Sequence, residues 1–372
     1  MNLYIGENIK RLRRKQGITQ ETLAEHMNVS CPAVSKWERG ETLPDITMIL
    51  PLASYFGVSA DELLGFDAAK NELKILAYLE EYRTLGALGK TQEKFDLMVK
   101  AYEEFPNDWR IIEEYMWLLN YDPNCSGPYG NEVHKEELYR LCRRVLEECG
   151  VDSVRYSALS ILGGLYLLDG ETQKAIETAR RFPDYYMTCG EELENCFERG
   201  SEDWWKQSRK NIWELMYMLQ VKIRNAAIYA DGGPEEQIRL LKKAAALIDL
   251  VLDEGDFGFC HYDLSELHHW IANCYVMLGA FEDAFGHYKK GFEHARAYDA
   301  LPRVSVHDSF LVRGKVQDMG RISSGTEMNM VARELEYIRG CEVYEKVKNC
   351  GEMQAILAAY EPFAGVKQAF AE

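Results

Sequence analysis

The chain has 372 residues, of which 47% are hydrophobic, enough for two or three packed domains. Its net charge of −17 and pI near 5.1 argue against a protein that coats nucleic acid over its whole surface. No apolar run approaches the roughly 18 residues that cross a bilayer, and no apolar segment of the kind found in secretory signals follows Met1. We therefore expect a cytoplasmic protein without a membrane partner.

The charge is distributed unevenly along the chain. Residues 1–66 carry 7 basic and 8 acidic side chains, so the other 306 residues carry a net charge of −16. The ten cysteines include no CxxC pair, and in a cytosolic chain they are interpreted as reduced, buried thiols. A redox or metal sensor is the alternative interpretation of these cysteines.

Five short helices are predicted in the first 66 residues. The first has apolar residues at helical spacing, and five of the six residues Lys10–Lys15 are basic. Thr19 caps the second helix, whose inward face includes Leu23 and Ala24. Asn28 stands at a sharp turn, because asparagine is the best substitute for glycine at positive φ.

The third helix is predicted to begin at the cap Ser30, to bury Val34 and Trp37, and to end at Gly40. The last two helices open at a Pro-Asp pair and at a capping box, Pro44-Asp45 and Ser59–Glu62. Short helices of this number in about 60 residues predict one small all-α domain with a single core.

The stretch GITQETLAEHMNVSCPAVSKWERGETLPDI resembles the lambda-repressor-like, Cro/CI-type (XRE family) helix-turn-helix domain, over about residues 5–66. Five positions match as helix start, helix contact, turn and core anchors: Gln20, Ala24, Asn28, Val34 and Trp37. The resemblance implies a sequence-specific DNA-binding transcriptional regulator whose third helix, Ser30–Arg39, lies in the major groove.

By this resemblance, one set of side chains faces the DNA: Ser30, Cys31, Pro32, Ser35 and Lys36, with Arg39 and Thr42 nearer the phosphates. Proline in the first turn is compatible with the helix, since the N–H groups there have no intrahelical partner. Neither Cys31 nor Pro32 can make a bidentate bond to a base, but both can contact a thymine methyl. Direct readout is therefore expected to fall mainly on Lys36 and Ser35.

The resemblance also places Gln20 on a backbone phosphate, at the N-terminus of the second helix. The basic residues of the first helix either contribute to DNA binding or form a solvated face. Because one domain of this size binds weakly, we expect a homodimer on double-stranded DNA with an inverted repeat. The sequence does not show where the dimer contact lies.

Residues 67–372 show helical periodicity almost throughout. Two segments repeat the same spacing of small and aromatic residues, 109 residues apart: Gly163, Tyr166, Gly170 and Ala175, and Ala272, Tyr275, Gly279 and Ala284. This spacing resembles the tetratricopeptide (TPR) repeat and implies an α-helical solenoid with a concave groove. Such a body is expected to dimerise, to bind a peptide, protein or small ligand in the groove, or to do both.

No catalytic motif is present, so we predict that the protein is not an enzyme and needs no cofactor. His261, His268 and His269 are the best metal-like group, but their spacing is interpreted as that of ordinary repeat histidines. The aromatic residues Trp204, Trp205, Trp213 and Tyr217 either line a pocket or belong to core and interface. The alternative function is a TPR-type protein-interaction scaffold that its DNA domain only tethers.

Overall fold

The computed structural model describes residues 5–122, 132–184 and 187–367, except for the side chains of 66–69. Within these ranges the fold is all-α apart from one two-stranded sheet, which confirms the predicted fold class. The chain divides into two compact units, one containing residues up to Glu81 with Lys100–Ile111, the other Tyr82–Val99 with the chain from Ile112. The predicted domain border between residues 66 and 67 stays a prediction.

Five short helices form the N-terminal part of the first unit: α1 (Ile5–Lys15), α2 (Gln20–Met27), α3 (Cys31–Glu38), α4 (Ile49–Phe56) and α5 (Ala60–Leu64). Their apolar faces meet in one core that includes Ile9, Leu23 and Leu52. The fourth helix starts later than expected. Asp45 caps a 3₁₀ turn (Ile46–Met48) through its bond from the Thr47 N–H, and α4 follows that turn.

Three helices contribute residues to both units: α6 (Phe66–Ala87), α7 (Thr91–Glu104) and α8 (Trp109–Asn120). The second unit continues with ten more: α9 (Lys135–Glu148), α10 (Asp152–Leu168), α11 (Thr172–Ala179), α12 (Cys189–Cys196), α13 (Glu202–Ile228), α14 (Gly233–Val251), α15 (Cys260–Leu278), α16 (Phe281–Asp299), α17 (Met330–Gly340) and α18 (Gly351–Tyr360). No helix in the described ranges combines the length and apolarity needed to cross a membrane.

The second unit is built mainly of consecutive helices that pack on one another, α9 on α10, α10 on α11, and α13 through α16 in order. Both repeated segments of the sequence are helix pairs, α10–α11 and α15–α16. Gly170 and Gly279 occupy the intervening turns with positive φ, and the small residues Ala175 and Ala284 are buried on the second helix of each pair. Packing between neighbours in sequence is the arrangement of a helical-repeat array.

A hairpin interrupts the array between α16 and α17, and the sequence pattern did not predict it. Its strands β1 (Val304–Val306) and β2 (Val316–Asp318) are antiparallel, with Val304 opposite Asp318. Asp256 holds the hairpin loop, since its carboxylate accepts hydrogen bonds from the Ser309 N–H and hydroxyl. Three-residue strands are too short to give a clear alternation of apolar and polar residues.

After the hairpin, the chain returns to the beginning of the second unit and forms a clasp, Ser323–Thr326 against Gly86–Gly89. The Ser324 N–H donates to the Gly86 carbonyl at 2.8 Å. At Gly89 the φ is +74°, and an added Cβ would lie 1.9 Å from the Thr326 carbonyl oxygen. Only glycine fits this position, because a side chain would be both strained and in collision.

Candidate nucleic-acid interface

The turn between α2 and α3 fixes the angle at which α3 is presented. Asn28 adopts φ 53° and ψ 45°, the left-handed region, and is the one non-glycine residue with positive φ in the described chain. The following Val29 N–H donates to the Ala24 carbonyl at 3.0 Å. Ala24 is buried, so its small side chain leaves room for the two helices to approach closely.

The inward face of α3 packs through Val34 and Trp37, which are both buried. Gly6 of α1 lies against this face, and an added Cβ there would come within 2.1 Å of the Trp37 carbonyl oxygen. Gly6 was not singled out from the sequence. A glycine in the first turn of a predicted helix was the available signal of a close contact, because glycine is a poor helix former.

An ion pair between the half-buried Arg13 and the buried Glu38 also connects α1 with α3. Arg13 donates from Nε to Glu38 Oε1 at 2.5 Å and from Nη2 to Oε2 at 3.0 Å. Gln20 Nε2 donates to Glu38 Oε2 at 2.7 Å. Burial alone would raise the pKa of the Glu38 carboxyl, but the bonds from Arg13 and Gln20 outweigh burial and hold this pKa below its usual value.

This triad, Arg13, Gln20 and Glu38, changes the interpretation of two residues. Arg13 is not simply a solvated basic residue, because it also donates from Nη1 to the Ile18 carbonyl at 2.7 Å. Gln20 supports Glu38 with one amide N–H, so its predicted phosphate contact would have to use the other. Glu38 was not singled out from the sequence either, because its charge gave no indication of burial.

The outward face of α3 carries most of the predicted DNA contacts. Pro32 and Lys36 are exposed, and Cys31 and Ser35 are half-buried. Ser30 occupies the N-cap position, as predicted from the sequence, but its hydroxyl makes no capping bond. Within the described chain Lys36 forms no ion pair.

Three of the predicted contact residues, Cys31, Ser35 and Arg39, already have polar partners. Arg39 donates from Nη1 to Ser35 Oγ at 2.5 Å and from Nε to Glu41 Oε1 at 2.6 Å. The Cys31 thiol lies 3.6 Å from a Glu21 carboxylate oxygen. Desolvation and the Glu21 charge raise the pKa of this thiol, so Cys31 is expected to present a neutral group. Thr42 is exposed beyond the end of α3.

A second candidate site is a cavity of about 1290 Å³ in the second unit. Of the four aromatic residues considered from the sequence, Trp213 and Tyr217 line this cavity. Trp204 and Trp205 instead contact each other edge to face, with ring centroids 4.8 Å apart. The prediction that this cluster could line a pocket therefore fits half of its members.

Charged residues from three helices converge on the cavity. Arg224 of α13 reaches Glu266 at 3.0 Å and Asp263 at 3.4 Å, and Arg333 of α17 reaches Glu266 at 2.6 Å. Burial raises the pKa of Asp263 to about 6. The buried Arg224 Nε has no hydrogen-bond partner among the described residues. Neither arginine was singled out from the sequence, because long-range pairing leaves no periodic signal.

Histidines and cysteines do not form a metal centre in the described part of the chain, where no group of three or more His, Cys, Asp or Glu is arranged to hold a metal ion. His269 is buried and bonds to Glu334 of α17 at 2.6 Å, whereas His261 and His268 face other histidines. The described cysteines are free thiols, and Cys125 lies outside the described residues.

A helix-turn-helix family model (HTH_3) matches residues 9–63. The HTH-type transcriptional activator BcrR of Enterococcus faecalis is 31% identical over 119 residues, which cover 32% of this chain and 56% of BcrR. The uncharacterized HTH-type transcriptional regulator y4dJ of Sinorhizobium fredii is 38% identical over 64 residues, 17% of this chain and 83% of y4dJ. The chain thus spans little more than half the length of BcrR and most of y4dJ.

A likeness to one solved structure extends further along the chain. Bacillus thuringiensis PlcR, crystallised in complex with the peptide PapR7 and DNA, aligns with 78% of this chain and 95% of its own. The sequence identity is 15% and the TM-score 0.32.

Proposed function

Because the chain belongs to the XRE-type helix-turn-helix transcriptional regulators, we propose that it binds a specific DNA sequence through α3 and regulates transcription there. The observation that carries this proposal is the division of α3 into two faces. Val34, Trp37 and Glu38 hold the helix to α1 and α2, while Pro32 and Lys36 stand exposed on the other side. A helix fixed on one face and open on the other suits insertion in a major groove.

Base readout is assigned mainly to Lys36, with Ser35 beside it. Lysine can donate to guanine O6 and N7, and a serine hydroxyl can bond to either kind of base edge. Cys31 and Pro32 supply apolar contact at the start of the helix. With so few groups for bidentate bonding, this helix is expected to discriminate bases modestly and to depend on a second half-site.

Phosphate contacts are assigned to Gln20, Arg39 and Thr42. The second amide N–H of Gln20 is available at the N-terminus of α2, where the helix dipole favours an anion. Arg39 must exchange its Glu41 partner for a phosphate, so its contact carries an internal cost. These contacts orient the domain and carry no sequence information.

We propose a cytoplasmic homodimer that binds an inverted repeat and has no catalytic activity. Three large apolar side chains are exposed in the segment that follows α3, where Leu43 is 55%, Ile46 84% and Leu50 72% accessible. Exposed apolar residues so close in sequence favour a contact with a second copy on adjacent half-sites. Residues 67–372, which carry a net charge of −16, are the other candidate for the dimer contact.

The cavity of the second unit is proposed to hold a peptide or small-molecule effector. Sites for drug-sized ligands measure about 300–1,000 Å³ and combine aromatic walls with a few convergent polar groups. This cavity is larger than that range, so a short peptide would also fit. The unpaired Arg224 Nε offers a donor to such a ligand.

A DNA-binding titration separates the regulator from the tethered scaffold. On a fragment containing the operator, Lys36→Ala is expected to weaken binding about 10- to 100-fold, the value of one good base contact. Lys206→Ala, which removes an exposed lysine of α13, is the matched control and should leave the affinity unchanged. Equal binding of the wild type to any duplex, unaffected by Lys36→Ala, would favour the scaffold.

A further inference from the structure

Four histidines line the contact between α15 and α16, and they are called here the histidine ladder: His261, His268, His287 and His294. On each helix the two members are seven residues apart, which places them on one face. The Nδ1 atoms of His261 and His294 lie 2.8 Å apart, and those of His268 and His287 lie 2.9 Å apart. His268 and His294 stack with their ring centroids 5.6 Å apart.

Aromatic rings close both ends of the histidine ladder. Tyr275 stacks on His287 at 5.6 Å between centroids. Phe257 meets His261 and His294 edge to face at 5.4 and 5.7 Å. The four histidines are half-buried, and their imidazoles are held between other rings.

The two Nδ1 contacts restrict how many protons the histidine ladder can hold. In each pair one ring donates an N–H and the other accepts it with a lone pair. If both rings were protonated, two N–H groups and two positive charges would face each other at hydrogen-bonding distance. Among the described residues, no carboxylate is hydrogen-bonded to any of the four rings to compensate such charges.

The charged groups around the histidine ladder also oppose its protonation. Lys290 of α16 lowers the pKa of three of the rings, and Lys242 of α14 lowers that of His287. Asp283 acts in the opposite direction on His287. Two further acids lie one step away: Asp249 of α14 interacts with Lys290, and Glu334 of α17 bonds to His269.

We propose that the histidine ladder is an acid-sensitive latch in the second unit: neutral imidazoles hold α15 and α16 together, and protonation separates them. The same two helices supply Tyr262, Trp270 and Tyr298 to the wall of the cavity. Opening the latch therefore reshapes the cavity, whether or not the cavity binds an effector.

The direction of the pH dependence follows from burial. Burial, together with the neighbouring histidines and lysines, lowers the pKa of His268 to about 3 and those of His287 and His294 to about 4. In the unfolded chain these groups return to about 6.5. The stability that the neutral latch contributes is thus fully present above pH 6.5 and is lost progressively as the pH falls to about 4, whereas the rings of the folded protein take up protons only near these lower values.

The first test is an NMR titration of the full chain labelled with ¹⁵N in histidine, between pH 7.5 and 4.5. The ladder imidazoles are expected to stay neutral, each with one protonated nitrogen, until the pH falls below 5. Ladder resonances that titrate independently at pH 6 or above would overturn the proposal. This measurement requires no variant.

The second test uses the full chain and compares the unfolding of its second unit by urea at pH 7.5 and 5.0. For one histidine of folded-state pKa near 4, acidification to pH 5.0 should shift the unfolding equilibrium about 30-fold. In the double variant His268→Gln/His294→Gln, this pH-dependent shift of the unfolding equilibrium is expected to be at least tenfold smaller than in the wild type. The control is His26→Gln, which replaces an exposed histidine of α2 and should show the same shift as the wild type.

An unchanged pH dependence in the folded double variant would contradict the latch. Stabilisation of the wild type by Zn²⁺ at pH 7.5, absent from the double variant, would also overturn it, because the rings would then be metal ligands. If the double variant does not fold, the NMR titration of the wild type decides.

Discussion

In the first unit the buried Glu38 carboxylate accepts hydrogen bonds from both Arg13 and Gln20, whereas in the second unit Arg224 reaches two carboxylates and still leaves its Nε unpaired. The buried side-chain nitrogen and oxygen atoms that lack a partner in the described chain all lie between Gln220 and Gln317. A fully paired ion triad fixes one arrangement of its helices. Among the residues with unpaired atoms, Arg224 lines the cavity, and its unpaired Nε leaves hydrogen-bonding capacity for a ligand. We infer that the helices joined by the triad in the first unit are held rigidly, whereas the side chains around the cavity of the second unit can rearrange.

The largest effect is expected from Glu38→Ala, which leaves the Arg13 charge partly buried without its partner. Breaking a buried pair of this kind costs about 3–5 kcal/mol. Hydrogen exchange of the α3 amides in the full chain measures the loss. Glu41→Ala is the control, because its pair with Arg39 is exposed, and such pairs contribute about 0–1 kcal/mol. Equal protection of α3 in both variants would remove the contrast between the units.

Arg224→Met should cost less than Glu38→Ala, about 1–2 kcal/mol at pH 7. Asp263 already has a pKa of about 6, and without Arg224 it takes up a proton, which avoids a lone buried charge. Because a raised carboxyl pKa favours the folded state as the pH falls, the difference from wild type should shrink from pH 7 to pH 5. Comparing the two proteins at each pH cancels the histidine contribution. A difference that grows on acidification would contradict this account.

Gly6→Ala tests the close approach of α1 and α3. A methyl group would collide with the Trp37 carbonyl, and overpacking of this kind costs about 1–3 kcal/mol. Gly286→Ala is the matched control, since that helical glycine of α16 has nothing near its missing Cβ. There alanine should stabilise the helix by about 1 kcal/mol. Urea unfolding that moves both variants in the same direction would refute the collision.

Asn28→Ala should destabilise the first unit by about 1 kcal/mol, because the left-handed conformation is less favourable for alanine than for asparagine. Asn28→Gly should be neutral or slightly stabilising. Thermal denaturation of the two variants checks this order. If alanine and glycine behave alike, backbone conformation is not what asparagine provides at this turn.

The smallest effect is expected from Glu41→Gln, which releases Arg39 and removes a negative charge beside the DNA. Operator affinity should rise about two- to fivefold, and the gain should decrease as salt is added. Glu25→Gln, an exposed acid of α2, controls for the change in net charge. An equal gain in both variants would mean that the Arg39–Glu41 pair has no particular role.

The local parts of this fold were predictable, since caps, turns and helical spacing depend on residues that are close in sequence. Asn28 at the turn and Val34 and Trp37 on the inward face are examples. What the sequence could not show depends on partners far along the chain. The bond from Gln20 to Glu38, the approach of Gly6 to Trp37 and the convergence of Arg224 and Arg333 leave no periodic pattern.

The clasp between Ser323–Thr326 and Gly86–Gly89 makes the stability of the first helices of the second unit depend on residues near the end of the chain. In a helical-repeat array each repeat normally contacts only its neighbours. Here Lys94 also reaches Ser323 across 229 positions, so the start of the second unit is secured by its far end. Truncating the C-terminal quarter should therefore loosen the first helices of the second unit as well, because it removes the residues that bond to Gly86 and Lys94.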